Sequence, residues 1–454
     1  MAIETLNPTT GELVKTFPEM TKDEVDRILD AAVAAQKAWA RVPIAERAKP
    51  MRKVAALLKE RAPELGRLAA LEMGKPVKDG AAEATKCAWV CDFYAENAER
   101  FLAPREETSD GSRAYVRFDP LGVVLAVMPW NFPYWQVFRF IAPHIMAGNG
   151  GLLKHASNVP QCALAIEKLM HDAGFPRDLF RTLLIGSKPV RGIILDQRVA
   201  AATITGSEPA GRAVAAAAGE ALKPSVMELG GSDPFIVLSD ADLDQAAKVG
   251  AVARTINAGQ SCICAKRFIV EAPVYDAFLE RFTAAMKAVK VGDPMQPGTD
   301  IGPQARTDLR DEMHELVKQA IAEGARPAMG CTVPAGPGAF YPVSILADVK
   351  TTNVAAREEL FGPVAVVMRA ATAEEAVALA NDSRFGLGAS LWTRDLAKAE
   401  RLVALVEAGA VFVNGLVKSD PRLPFGGVKA SGYGRELGLE GIRAFVNVKT
   451  VWVK

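Results

Sequence analysis

The feature that most constrains this chain is an alternation that begins near residue 121. Short runs of aliphatic and β-branched residues take turns with helix-sized segments. VVLAVM (123–128), LLK (152–154), LFRTLLI (179–185) and AAATIT (200–205) read as strands, with helices expected over 134–146 and 161–173 and after each later run. The pattern restarts after Glu228 with PFIVL (234–238), RFIVE (267–271), VAVVM (364–368) and AVFVN (410–414). Strand–helix alternation of this kind predicts doubly wound, mostly parallel sheets, and two successive series predict two α/β units. Ahead of them, 21–72 and 77–103 are helical in period. Thr21 and Glu24 have the spacing of a capping box, and RAYVRF (113–118) reads as a strand.

Half of the 454 residues are hydrophobic, which suits more than one sizeable core. Lys and Arg total 54 against 53 Asp and Glu, and like charges do not cluster. The chain is therefore expected to bind neither nucleic acid nor a membrane surface. The polar start MAIETLNPTTGE lacks the layout of a signal peptide, and no apolar stretch is long enough to span a bilayer. Six cysteines are too few for a disulfide framework, so a cytoplasmic setting is expected. Four histidines, none paired with cysteines at zinc-site spacing, predict no metal.

Chemistry concentrates in a few segments. GQSCICAKR (259–267) carries two cysteines two residues apart, with a Lys-Arg pair behind them. A cysteine nucleophile needs its thiolate, hence a base or a positive field. The histidine nearest in sequence, His314, lies in the charged amphipathic segment DLRDEMHELVKQ and reads as a surface residue. PWNFPYWQVFR (129–139) sets a lone amide among aromatics between a strand and a helix. TGS (205–207) follows a strand and opens a helix. MELGGSDP (227–234) and EELFGPV (358–364) place acids before glycine turns.

Taken in order with PFGGVKASGYGRE (424–436), these segments resemble the signature segments of the NAD(P)-dependent aldehyde dehydrogenase superfamily over nearly the whole chain. The resemblance is nearest to its short bacterial succinate-semialdehyde dehydrogenases. It implies that Cys262 is the nucleophile, Glu228 the general base, and Asn131, with the backbone N–H of Cys262, the stabiliser of the oxyanion. Cys264 has no part in that scheme. It reads as a packed thiol, with a redox partnership to Cys262 as the alternative. The family's cofactor site would fall on Trp130, Lys154, Gly206, Ser207, Glu359 and Phe361. The helix after TGS would offer its N–H groups to the pyrophosphate, with Glu208 turned aside. Where NAD-preferring members often have Glu, this chain has Ser157. Glu repels a 2′-phosphate and Ser can donate to it, so NADP is expected as the preferred cofactor, with NAD as a second. The alternative is a neutral Ser157 that leaves both equally usable.

A semialdehyde acid also needs a cation opposite the thiol. Asn131, Trp135 and Arg139 are spaced four apart. They are therefore expected to share one helix face, with Arg139 two turns and about 12 Å from Asn131 along the axis. Arg139 is accordingly expected at the substrate carboxylate, with Trp135 and Ser419 beside it. An internal salt bridge is the other reading of a buried arginine.

The expected organisation is a Rossmann-type cofactor domain (1–100 and 120–229), an α/β catalytic domain (230–435) and a small β oligomerisation element (101–119 and 436–454). The alternating C-terminal run FVNVKTVWV (445–453) is an edge that calls for a partner, so a homodimer or homotetramer is expected. The expected reaction is oxidation of succinic semialdehyde to succinate. Alternatives are another semialdehyde such as glutarate semialdehyde, or a simple aliphatic aldehyde. A coenzyme-A-acylating enzyme, a non-catalytic cofactor-binding protein and a side esterase activity are further from the motifs.

Overall fold

The computed structural model describes residues 2–454; Met1, the first residue of the expected cofactor domain, lies outside them. Both expected α/β series form sheets. The first contains, in spatial order, Gly432–Tyr433, Ser225–Glu228, Val199–Thr205, Val123–Met128, Gly150–His155 and Phe180–Thr182. Every pairing in it is parallel except that of Gly432–Tyr433. The second runs Arg326–Met329, Ser344–Ala347, Val364–Ala370, Ala265–Glu271, Asp233–Val237, Gly388–Trp392 and Ala410–Val413, with only Arg326–Met329 antiparallel.

Period-two alternation divides the second sheet's side chains between two cores. Phe235, Phe268, Val367 and Trp392 pack on one face, and Ile236, Ile269, Val366 and Leu391 on the other. Strands buried on both faces read as continuous apolar runs, which is why they were visible in the sequence. The run 179–185 forms a shorter strand than expected, Phe180–Thr182. It lies at the sheet edge, and Leu184 instead accepts a backbone hydrogen bond from Met20 (2.8 Å).

The capping box forms. Glu24 N–H donates to Thr21 Oγ1 (3.3 Å), and Thr21 N–H donates to Glu24 Oε2 (2.7 Å). The helix expected over 134–146 spans Trp135–Ala147, and all of its residues are buried. Asn131 therefore precedes the helix and does not share its face with Trp135 and Arg139, contrary to expectation. Pro133 disfavours helical backbone at Phe132, so the helix cannot extend back to Asn131.

A third, antiparallel sheet joins Val446–Val453 to Arg113–Pro120, flanked by Arg105–Glu107. Among the described residues no helix is long and apolar enough to cross a membrane.

Candidate active site

In the first sheet, succession runs one way from Val123–Met128 through Gly150–His155 and the other way through Val199–Thr205. The crevice outside the carboxyl ends of the strands at such a switch point is where open α/β sheets bind ligands. PWNFP, the turn after Lys154 and TGS all leave the sheet at this edge. His155 ties two of these turns together. Burial pushes its imidazole down to about 4, so it is neutral. Nδ1 accepts from Ala156 N–H (2.9 Å), which leaves Nε2–H to donate to Pro133 O (2.9 Å).

The segment that carries Cys262 enters from the other sheet. Helix Leu243–Thr255 ends in a tight turn where Asn257 (φ 54°), Ala258 (φ 56°) and Gly259 (φ 74°) are all left-handed. Left-handed non-glycine residues persist only where surroundings enforce them. Here Asn257 Nδ2 donates to Asn131 O (2.7 Å) and Gln304 Nε2 to Ala258 O (3.2 Å). Lys266 Nζ donates to the carbonyls of Ser261 (2.8 Å) and Cys262 (3.0 Å). A Cβ on Gly259 would lie 2.2 Å from Gly362 O, so only glycine fits.

Cys262 is half-buried at the end of this turn. Burial pushes its thiol up to about 12, against the opposing pull of Arg139 and Lys266. Gln136 Nε2 donates to Asn131 Oδ1 (3.0 Å), which identifies Nδ2 as the donor end of the Asn131 amide. One Nδ2 hydrogen goes to Gln260 O (2.9 Å), and the amino group carries a second. Glu228 ends its strand fully buried, and neither carboxylate oxygen has a hydrogen-bond partner. Burial, and then the neighbouring Glu436, raise its pKa well above the ordinary carboxylate value. Cys264 is buried, and its Sγ meets Ile256 O at 3.6 Å, as a packed thiol would.

A cavity of about 240 Å³ opens beside Cys262 and is also bordered by Trp135, Arg139 and Ser419. Arg139 forms a buried ion pair with Glu436 and donates to Thr205 Oγ1 (3.2 Å). It thus both borders the cavity and makes the internal salt bridge that was the alternative reading. Glu228 does not border this cavity.

The residues expected at the cofactor group as follows. Trp130 meets Phe361 edge-on at 5.8 Å. Glu359 accepts from Gly231 N–H (3.2 Å) and pairs with Lys266 (3.1 Å). A Cβ on Gly230 would lie 2.3 Å from Glu359 Oε2. Ser207 caps helix Glu208–Glu220 without using its side chain, and Gly206 N–H is bonded to Glu228 O (3.0 Å). Glu208 is drawn aside by Arg212 (2.8 Å) and Arg384 (3.1 Å). Lys154 is buried, burial lowers its pKa, and no carboxylate among the described residues pairs with it. A buried ammonium without a counter-ion fits an anionic or hydroxyl-rich ligand, and exposed Ser157 stands in the turn just beyond.

Sequence reasoning missed Lys86, Gln136, His155 and Lys266. Asp79, Ala82, Glu83 and Lys86 border the cavity from helix Val77–Leu102. Their i, i+3, i+4, i+7 spacing was the signal that could have found Lys86.

Comparison with known proteins gives the same assignment at the level of family. The profile of the aldehyde dehydrogenase family matches residues 1–451, and the chain belongs to that family. It is 53% identical over 453 residues to a probable succinate-semialdehyde dehydrogenase (NADP+) from Synechocystis sp., covering 100% of both chains. It is 51% identical over 456 residues to succinate-semialdehyde dehydrogenase (NADP+) 1 of Mycobacterium tuberculosis, again covering 100% of both. Among solved structures, succinic semialdehyde dehydrogenase from Streptococcus pyogenes, in complex with NADP+, superposes with a TM-score of 0.97. It is 37% identical, and 100% of each chain is covered.

Proposed function

We propose that this aldehyde dehydrogenase oxidises succinic semialdehyde to succinate, with NADP preferred and NAD also accepted. The reading is carried by full-length identity of 51–53% to relatives bearing that name. The cavity beside Cys262, with cations and Ser419 on its walls, supports it.

In this scheme the Cys262 thiolate attacks the aldehyde carbon. Asn131 Nδ2 and the Cys262 N–H hold the resulting oxyanion, and such a donor typically contributes about 10²–10³ in rate. Held by Trp130, Glu359 and Phe361, a nicotinamide would supply the hydride acceptor, which would leave a thioester on Cys262. Water then releases the acid and the free thiol, with Glu228 as base. Burial that raises a carboxyl pKa makes its ionised form a stronger base. Because Glu228 does not border the cavity here, this step calls for its side chain to swing towards Cys262. Trp130, Lys154, Ser157, Gly206, Ser207, Glu359 and Phe361 are the proposed cofactor contacts, with Arg139, Trp135 and Ser419 at the substrate.

The same proposal assigns cofactor binding to 1–100 and 120–229, and catalysis to 230–435. Segments 101–119 and 436–454 would join subunits into a homodimer or homotetramer. Val448, Trp452 and Val453 are exposed on that last strand, where a partner would cover them. Six unbonded thiols suit a cytoplasmic enzyme.

The test is the initial rate of nicotinamide reduction with succinic semialdehyde, glutarate semialdehyde and butanal, each with NADP and with NAD. Higher kcat/KM for succinic semialdehyde with NADP supports the proposal. Turnover of butanal alone would remove the substrate, and turnover with NAD alone the cofactor preference.

A further inference from the structure

We propose that Lys86 selects carboxylate-bearing aldehydes, binding the substrate carboxylate together with Ser419. This inference rests on the semialdehyde reading above and adds a residue to it. Three cations border the cavity beside Cys262: Lys86, Arg139 and Lys418. Arg139 is already neutralised by buried Glu436. Lys418 is exposed at the rim, where water screens it. Lys86 is half-buried, and no carboxylate among the described residues lies within ion-pair distance of it.

The nearby acids are engaged elsewhere. On Lys86's own helix, Glu83 is ion-paired with Lys75 and accepts from the N–H groups of Tyr134 and Trp135. From the loop opposite, Asp420 pairs with Arg422 at 2.6 Å. What holds Lys86 in place is neutral. Nζ donates to Ser419 Oγ (2.8 Å) and lies 4.2 Å from the centre of the Trp135 ring. The indole N–H of Trp135, another wall residue, is buried and has no acceptor. Lys86, Ser419 and Trp135 thus bring an ammonium, a hydroxyl and an indole N–H to one wall, a donor set suited to a carboxylate; of the two acids that also border the cavity, Glu83 is held by Lys75 and Asp79 lies two helical turns from Lys86.

Electrostatics agree with the geometry. Burial, and then Arg139, push the Lys86 ammonium down to about 8. A bound carboxylate reverses that penalty, whereas an uncharged aldehyde does not. The substrate class is therefore a short aldehyde ending in a carboxylate.

The experiment measures kcat/KM for succinic semialdehyde and butanal with NADP in the wild type, Lys86→Met, Lys86→Arg and Arg139→Ala. Removing one charge-assisted hydrogen bond is expected to lower the succinic semialdehyde to butanal ratio roughly 10- to 100-fold in Lys86→Met. The loss should reside in KM, and Lys86→Arg should recover most of it. Butanal turnover in the same preparation reports whether the variant is folded. An unchanged ratio, or equal losses on both substrates, overturns the role of Lys86 and leaves the semialdehyde reading intact. So does a ratio that collapses only in Arg139→Ala. A wild type with no preference for succinic semialdehyde overturns the semialdehyde reading itself, and this inference with it.

Discussion

The Glu83→Ala variant tests how the cavity wall is built. Glu83 lies in helix Val77–Leu102, buried, and its carboxylate has three partners. One oxygen forms an ion pair with buried Lys75. The other accepts from the N–H groups of Tyr134 (2.8 Å) and Trp135 (2.9 Å) at the start of helix Trp135–Ala147. Those N–H groups have no partner within their own helix, so a carboxylate there both satisfies them and complements the helix dipole. Truncation strands an ammonium in the interior, which costs about 3–5 kcal/mol. It also orphans two buried donors, at about 1–3 kcal/mol each if they stay dry. Relaxation makes these costs less than additive, and about 3–5 kcal/mol is the expected loss. The double variant Lys75→Met/Glu83→Gln removes both charges and keeps an acceptor for the N–H groups, so it should cost markedly less than Glu83→Ala. Urea unfolding at fixed protein concentration, followed by tryptophan fluorescence, provides the comparison. A Glu83→Ala protein within about 1 kcal/mol of wild type, or a double variant no better than the single, would refute the argument. Activity should fall as well, because Gln136 in the first turn of this helix holds the Asn131 amide.

Other variants probe the chemistry itself. Asn131→Ala should lower kcat about 10²–10³-fold with little change in KM, since an oxyanion donor acts mainly in the transition state; a KM-only effect in steady-state rates would reassign it to binding. The thiolate is the form that burial disfavours at Cys262, so its population should grow with pH throughout the range below about 12. Inactivation by iodoacetamide is therefore expected to accelerate about tenfold per pH unit from about pH 7 to 9, and a plateau below about pH 8 would mean that Arg139 and Lys266 outweigh burial. Ser157→Glu should weaken NADP roughly tenfold or more relative to NAD, by placing a carboxylate against the 2′-phosphate; an unchanged ratio of kcat/KM would show that Ser157 does not face the phosphate.

Much of the fold was legible because the buried parallel strands announce themselves. Val123–Met128 and Val364–Ala370 are nearly unbroken apolar runs, and each appears close to where its residues predict it. The edge strand Phe180–Thr182 was over-read, since apolar residues continue past the point where pairing stops. Spacing placed Asn131 on a helix that begins only at Trp135, because Pro133 overrides the period of four. The site was legible wherever a motif is contiguous and obscure wherever partners are distant in sequence. Nothing local to Arg139 reveals Glu436, and nothing local to Ser419 reveals Lys86.

The two sheets also explain why these motifs sit where they do along the chain. Asn131 and Gly206 lie just beyond the carboxyl ends of strands in the first sheet, and Lys154 is the last residue but one of Gly150–His155. Gly231, Cys262 and Glu359 lie just before the amino ends of Asp233–Val237, Ala265–Glu271 and Val364–Ala370 in the second. Hydrogen bonds from Asn131 to Gln260 and from Asn257 to Asn131 join the two ends directly. The first sheet's loops are free to be shaped for the proposed dinucleotide, while the second holds Cys262, the proposed nucleophile, on a turn fixed by the strand that starts three residues after it. Placing the thiol at a strand's beginning rather than its end explains the three left-handed residues before Cys262, since helix Leu243–Thr255 must reverse there to enter the sheet. The strained turn is thus a consequence of topology, and the hydrogen bonds from Asn257, Gln304 and Lys266 allow the segment that carries Cys262 to occupy it.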